Sequence, residues 1–259
     1  MRFWMLGFSL LFLSACVSHE TTVTTKNTAV GYDTAFESKR AAKTRVKLAL
    51  LYMQKDDMQK AKENLDKALE FQPNDPEIFR IFAYYSQRVN ETKKAEEYYK
   101  KSLSIDDGNA DTYNNYGTFL CSLKRYKEAE NAFLKAIDQS TYTGVANTYE
   151  NAAICEEHAN KLDKAVYYYE YALSHEPRKY YINLDLARLN INKKAYKKAR
   201  LILFNYQKKS ADTPQSLWLW IRLSDATGKK SSLKKYAGKL LSDFPDSQQA
   251  LDYLNYDYK

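Results

Sequence analysis

Six apolar anchors recur along this chain at a nearly fixed spacing. Ala61, Ala95 and Ala129 stand 34 residues apart, Ala165 follows after 36, and Ala199 and Leu233 follow at 34 each. Between the anchors, apolar residues return three and four positions apart, as at Val46, Leu50 and Met53 and at Ala61, Leu65, Ala68 and Leu69, which is the period of an amphipathic helix. Glycine and proline are scarce, at 7 and 5 of 259 residues, as suits a mostly helical chain. A repeat of this length makes each unit a pair of helices whose exposed apolar face is covered by the next pair. Small residues such as Gly117 and Ala129 let two helices approach closely, and large ones such as Phe133 and Tyr169 fill the space beside them.

A helical period of 34 is the signature of the tetratricopeptide repeat. The rest of that pattern follows the anchors: Leu48-Ala49, Tyr52, Leu65 and Pro73 in the first unit, Tyr116-Gly117, Leu120 and Phe133 in the third, and Tyr149, Ala152-Ala153, Tyr169 and Pro177 in the fourth. The expected fold is all-α, a right-handed superhelix of six such repeats at 42–75, 76–109, 110–145, 146–179, 180–213 and 214–247. The fifth is degenerate, with Asn183 and Tyr206 at consensus positions. The two extra residues of the third fall near the turn-rich stretch 140–144. Ser247 to about Tyr256 reads as a helix capping the last repeat.

The N-terminus carries a different message. Arg2 precedes an apolar run from Phe3 to Leu13, too short to span a bilayer as a mature helix, so it reads as an export signal. Its ending, Leu13-Ser14-Ala15-Cys16, resembles the lipobox of bacterial lipoproteins. That resemblance implies removal of residues 1–15, lipidation of Cys16 and, with Val17 rather than Asp next, residence at the periplasmic face of the outer membrane. Residues 16–37 are polar, with Thr-Thr-Val-Thr-Thr at 21–25 and no helical period. They read as a flexible tether, which puts the repeat domain at 38–259.

No catalytic constellation stands out, and the chain is not expected to be an enzyme. His19, His158 and His175 share no metal-ligand spacing. No glycine-rich phosphate loop or nucleophile elbow is present, and no cofactor or metal is expected. The formal charge of +8 could suit nucleic acid, an anionic surface or an acidic protein. Export argues against nucleic acid, and the lysines are interspersed with acidic residues as on solvated helix faces. The 23 tyrosines fall mostly at helix-packing positions such as Tyr98-Tyr99 and Tyr167-Tyr168-Tyr169.

What remains is protein binding on the concave surface made by the first helix of each pair. By the repeat register, Val46, Leu50 and Met53 line it in the first repeat, Arg80, Tyr84 and Gln87 in the second, and Asn114 and Thr118 in the third. The first set is apolar and the others polar, so this end should receive the apolar side of a partner helix. The alternative is that Val46 and Leu50 pack beneath an N-terminal segment. Cys121 and Cys155 lie on first helices of adjacent repeats. A disulfide requires Cα atoms about 4.4–6.8 Å apart. The insertion between these repeats shifts their register, which leaves open both a bridge and two buried thiols acting as small hydrophobes.

A more specific likeness lies in Asp111-Thr-Tyr-Asn-Asn-Tyr-Gly-Thr-Phe-Leu-Cys121, continuing to Lys124-Arg-Tyr-Lys-Glu-Ala129. It resembles the third repeat of the type IV pilus biogenesis/stability lipoproteins (PilF/PilW). Tyr149 to Cys155 and Ser216 to Leu223 resemble that family's fourth and sixth repeats. The resemblance implies an outer-membrane lipoprotein that acts as a pilotin: it binds the type IV pilus secretin and helps it reach the outer membrane and assemble its multimer. The competing reading is an outer-membrane adaptor for other envelope machinery, such as cell-wall hydrolases, which should lack the Asn114-Asn115-Tyr116-Gly117 stretch.

Overall fold

The computed structural model describes residues 28–255, and among these it contains thirteen helices and no strand. They are α1 (Thr28–Gln54), α2 (Met58–Phe71), α3 (Pro76–Arg88), α4 (Thr92–Ile105), α5 (Ala110–Ser122), α6 (Tyr126–Ile137), α7 (Val145–His158), α8 (Leu162–His175), α9 (Ile182–Asn192), α10 (Tyr196–Gln207), α11 (Pro214–Ala226), α12 (Lys230–Asp243) and α13 (Gln248–Asn255). Consecutive helices pair as α1/α2 through α11/α12, giving six units at the expected boundaries. Helix α13 packs on α11 and α12. Among the described residues no helix is long and apolar enough to cross a membrane.

The expected signal peptide 1–15, Cys16 and the tether as far as residue 27 lie outside the described residues. Where the expected tether overlaps them, the structure differs: α1 begins at Thr28, upstream of the boundary at 38. Its first turns carry no amphipathic stripe for the sequence period to reveal. Ser38 ties the helix to the repeat, its hydroxyl donating to the Phe71 carbonyl at 2.7 Å. From that anchored point a helix extends by one hydrogen bond per residue, without the cost of nucleation.

Local chemistry starts and stops the helices. Asp75, Asn109 and Thr213 cap α3, α5 and α11 by accepting N–H groups of the first turn, and Pro76 and Pro214 occupy first positions where no N–H is needed. Every first helix ends in the same way. Asp56, Asn90, Lys124, Asn160, Lys194 and Gly228 all adopt positive φ, one per repeat. The following N–H then reaches back to the helix, Glu91 N to Ser86 O and Lys229 N to Ser224 O at 2.8 Å each, the Schellman closure. Only the sixth position is the glycine that this conformation favours. Repetition of the helix pair on either side fixes the turn whatever residue occupies it.

Within each pair, one large and one small buried side chain stand sixteen residues apart: Ala49 and Leu65, Ala83 and Tyr99, Gly117 and Phe133, Ala153 and Tyr169, Ala187 and Leu203. The sixth repeat reverses the order with Ile221 and Ala237, keeping the summed volume. The closest fit is in the third repeat, where a Cβ added to Gly117 would come within 2.7 Å of the Phe133 ring. The anchor alanines Ala61, Ala95, Ala129, Ala165 and Ala199 are all fully buried. The degenerate fifth repeat keeps this core: Tyr206 is buried and Asn183 turns its amide to the Tyr180 carbonyl at 3.1 Å. The insertion forms the 138–144 connection, closed by a 2.9 Å hydrogen bond between the Tyr142 and Thr148 hydroxyls.

Candidate protein-binding groove

First helices α1, α3, α5 and α7 line a groove of two adjoining pockets. One, of about 460 Å³, is walled by Lys47, Leu50, Leu51, Gln54 and Tyr84, with Met53 at its floor. The other, of about 440 Å³, takes in Leu50, Arg80, Tyr84, Gln87, Asn115, Thr118 and Asn151. Leu50 and Tyr84 belong to both, so the groove runs from an apolar end at α1 to a polar stretch across α3, α5 and α7.

Leu50, Arg80, Tyr84, Gln87 and Thr118 therefore stand where the repeat register places them. Val46 does not line the groove, being 4% exposed, and Met53, 1% exposed, reaches it only as the pocket floor. They form one stripe with Ala42 and Ala49 that packs against Ala61, Leu65, Ile78 and Phe82. A first helix at the end of an array still has to bury one face against its partner and its neighbour, and the stripe at 42, 46, 49 and 53 is that face. Leu50 sits on the shoulder of that stripe, beside Leu51, which the register missed and which is exposed. Asn114 is also displaced from the lining. Its Oδ1 accepts the Asn151 amide at 3.0 Å, tying α5 to α7, and Asn115 takes its place in the groove. Asn151 stands at the same repeat position as Asn115, 36 residues on, a signal the spacing already held.

The polar wall is held from behind. Gln87 Nε2 donates to the Tyr99 hydroxyl at 2.6 Å. Burial pushes the Tyr99 phenol well above its ordinary range, so it stays protonated. Tyr116 donates to Glu96 Oε1 at 3.1 Å, and Arg125 and Lys100 both bind the same carboxylate at 2.8 Å. These donors, Arg125 first, hold the Glu96 pKa down at about 2. Glu96 thus clamps α4 to α5 and α6 behind the Asn114-Asn115-Tyr116-Gly117 stretch.

Below the groove, Cys121 of α5 and Cys155 of α7 form a disulfide with Cα atoms 5.8 Å apart. The next junction is ionic. Arg188 of α9 binds Glu157 of α7 through two nitrogens at 2.7 and 2.9 Å, and Lys179 reaches Glu150 at 2.7 Å. His158 and His175 lie exposed in the last turns of α7 and α8, His175 stacked on Tyr149. Of the tyrosines expected in the core, Tyr99, Tyr168 and Tyr169 are buried and Tyr98 is partly so. Tyr167 is 49% exposed and packs, with its ring tilted by 42°, against the exposed Tyr171. Three successive residues of one helix span more than half a turn, so one of them must face outward.

Comparison with known proteins gives this architecture its family. Tetratricopeptide-repeat profiles match residues 42–75, 109–175 and 158–219. The chain belongs to the tetratricopeptide-repeat family. Within it, the chain is homologous to the type IV pilus assembly protein PilF of Pseudomonas aeruginosa, with 29% identity over 80% of this chain and 82% of that protein. An uncharacterized protein of Haemophilus influenzae is 35% identical over 60% of this chain and 80% of its own length. The solved structure of Pseudomonas aeruginosa PilF superimposes with a TM-score of 0.69 and 28% identity, over 85% of this chain and 99% of that one. The crystal structure of PilW, described as a widely conserved type IV pilus biogenesis factor, gives 0.71 and 26%, over 82% and 98%. The tetratricopeptide superhelix expected from the period is thus the fold, and the likeness to PilF and PilW seen in residues 111–129 extends over most of the chain.

Proposed function

We propose that this tetratricopeptide protein is a scaffold of type IV pilus biogenesis, anchored by lipid at Cys16 to the periplasmic face of the outer membrane, where it binds the pilus secretin and supports its multimer assembly. Homology to PilF and PilW supports the pilus role. The observation that carries the binding mode is the groove's change of character, from Leu50, Leu51 and Tyr84 at one end to Arg80, Gln87, Asn115 and Asn151 at the other. An amphipathic partner helix places its apolar face in such a cleft and its polar residues along the wall. Steering and binding require no chemistry on the partner, and the tetratricopeptide profiles that match describe repeats rather than a catalytic family.

The test is Leu50→Glu. Leu50 is only partly buried, so the helix should tolerate the charge while the apolar end of the groove does not. The expected outcome is loss of secretin multimers in a protein with unchanged helical circular dichroism. Wild-type multimer levels in the folded variant would exclude this groove as the secretin site. Leu51→Glu serves as the second variant, since it reaches the same pocket from a more exposed position.

A further inference from the structure

Charge is distributed very unevenly along this chain. Between Lys193 and Leu240 stand thirteen Lys and Arg residues against two acidic ones, Asp212 and Asp225, so this stretch contributes +11 to a chain whose formal charge is +8. The remaining residues are therefore net acidic. Helices α10, α11 and α12 surround a cavity of about 400 Å³ in that basic region, far along the array from Leu50 and walled mainly by second helices. Its lining includes Lys197, Arg200 and Lys229 and no carboxylate. Lys193 and Lys239, elsewhere in the stretch, are neutralised by Asp163 and Asp212. The three cations of the cavity have no ion-pair partner among the described residues.

The cavity is apolar beneath that charge. Trp220 and Tyr236 stack in its wall with ring centroids 5.0 Å apart and planes within 10°. Trp220 is 8% exposed, and its indole N–H finds no acceptor among the described residues. At the rim, Leu201 and Phe204 are 60% and 50% exposed, and Lys208 lies 4.3 Å from the Phe204 centroid. Large apolar side chains left in solvent around a concave aromatic wall mark a binding surface rather than ordinary helix exterior.

We propose that this cavity is a second docking site, which takes an acidic peptide segment bearing one bulky apolar side chain. The apolar side chain enters against Trp220 and Tyr236, and its flanking carboxylates pair with Lys197, Arg200 and Lys229. Charge complementarity selects the sign of the partner. Concavity selects a peptide over a lipid surface, because a flat layer of headgroups would meet the lysines and the rim but would not reach Trp220. The site is independent of the groove at Leu50, so one molecule could hold two segments at once.

The experiment measures binding of the full chain to a fluorescein-labelled peptide, Glu-Asp-Glu-Phe-Asp-Glu, by fluorescence anisotropy. The expected result is saturable binding that weakens about tenfold or more in Lys197→Glu/Arg200→Glu, and by a similar factor when the peptide's Phe is replaced by Ala. The variant Lys198→Glu/Lys234→Glu makes the same change of charge on α10 and α12 outside the cavity and should weaken binding less than about threefold. Phe204→Ala, at a half-exposed position, should also weaken binding and serves if the charge reversal perturbs folding. Absence of saturable peptide binding would overturn the proposal. So would equal weakening by the two charge-reversal variants, which would mean diffuse attraction only. Vesicles containing phosphatidylglycerol provide the last arm: binding to them that depends on Lys197 and Arg200, with peptide binding that does not, would assign the patch to the membrane and overturn the peptide site.

Discussion

Gly117 shows how narrowly single residues set the spacing of this array. A methyl group there would press on the Phe133 ring at 2.7 Å, well inside contact distance. Phe133 is itself fully buried and cannot swing aside. Gly117→Ala should therefore destabilise the protein by about 1–3 kcal/mol despite alanine's better helix propensity, and Gly117→Ala with Phe133→Leu should recover part of that loss. Denaturant unfolding checks both; an unchanged midpoint in the single variant would show that α5 and α6 can separate freely. Glu96 gives a pH signature. Its carboxylate is held near a pKa of 2 by Arg125, Lys100 and Tyr116, so its contribution is complete above the unfolded value of about 4.3 and is lost as pH falls from there through about 2. Glu96→Gln should flatten the acid limb of the melting temperature between pH 5 and 2, while at pH 7 it should lower stability. A wild-type acid limb in Glu96→Gln would assign the acid sensitivity to other carboxylates.

At the scale of elements, the junctions between repeats are not alike. The third and fourth repeats are joined by the Cys121–Cys155 bond between α5 and α7 and by the Asn114–Asn151 hydrogen bond above it. The fourth and fifth are joined by Arg188 on Glu157 and Lys179 on Glu150. A covalent link across 34 residues should stabilise by about 2–4 kcal/mol, whereas in these part-buried ion pairs the attraction is offset by the cost of desolvating both charges. The double variant Cys121→Ser/Cys155→Ser should lower unfolding free energy by about that covalent amount and leave helical content intact. Mass spectrometry of alkylated, unreduced protein isolated from cells should find neither thiol modified, and two alkylated thiols would show that the bond does not form in them. The stiff centre lies directly under the polar half of the groove, so its loss should also increase hydrogen exchange in α5 and α7.

For the whole molecule, the two surfaces lie at opposite ends of the array. The groove lies on the N-terminal repeats, with Leu50 near the end of α1, and the basic cavity is at the C-terminal end. Cys16→Ala should shift the protein from the outer-membrane fraction to the soluble or inner-membrane fraction, because the described helices offer no apolar span to replace the lipid. Membrane fractionation checks this; wild-type outer-membrane levels of Cys16→Ala, in a strain lacking the secretin, would reject the lipid anchor.

The sequence by itself determined the repeat and nearly everything local. A period is a property of spacing, so the anchors at Ala61 through Leu233, the helix pairs and the final helix could all be read from the order of residues. Small and large partners such as Gly117 and Phe133 were legible too, because the repeat fixes their separation. Only the tertiary structure decided which apolar residues of α1 are buried and which are offered. Val46, Leu50, Leu51 and Met53 all read as apolar, and a rotation of α1 about its axis by a fraction of a turn exchanges their roles; packing on α2 and α3 sets that rotation. Only the structure brought Cys121 and Cys155 to 5.8 Å, because the extra residues between their repeats leave the facing sides of α5 and α7 undetermined by spacing alone. The cavity at Trp220 was hidden for the same reason. Its walls come from three helices, and its lack of carboxylates is a property of a surface, which exists only once those helices are side by side.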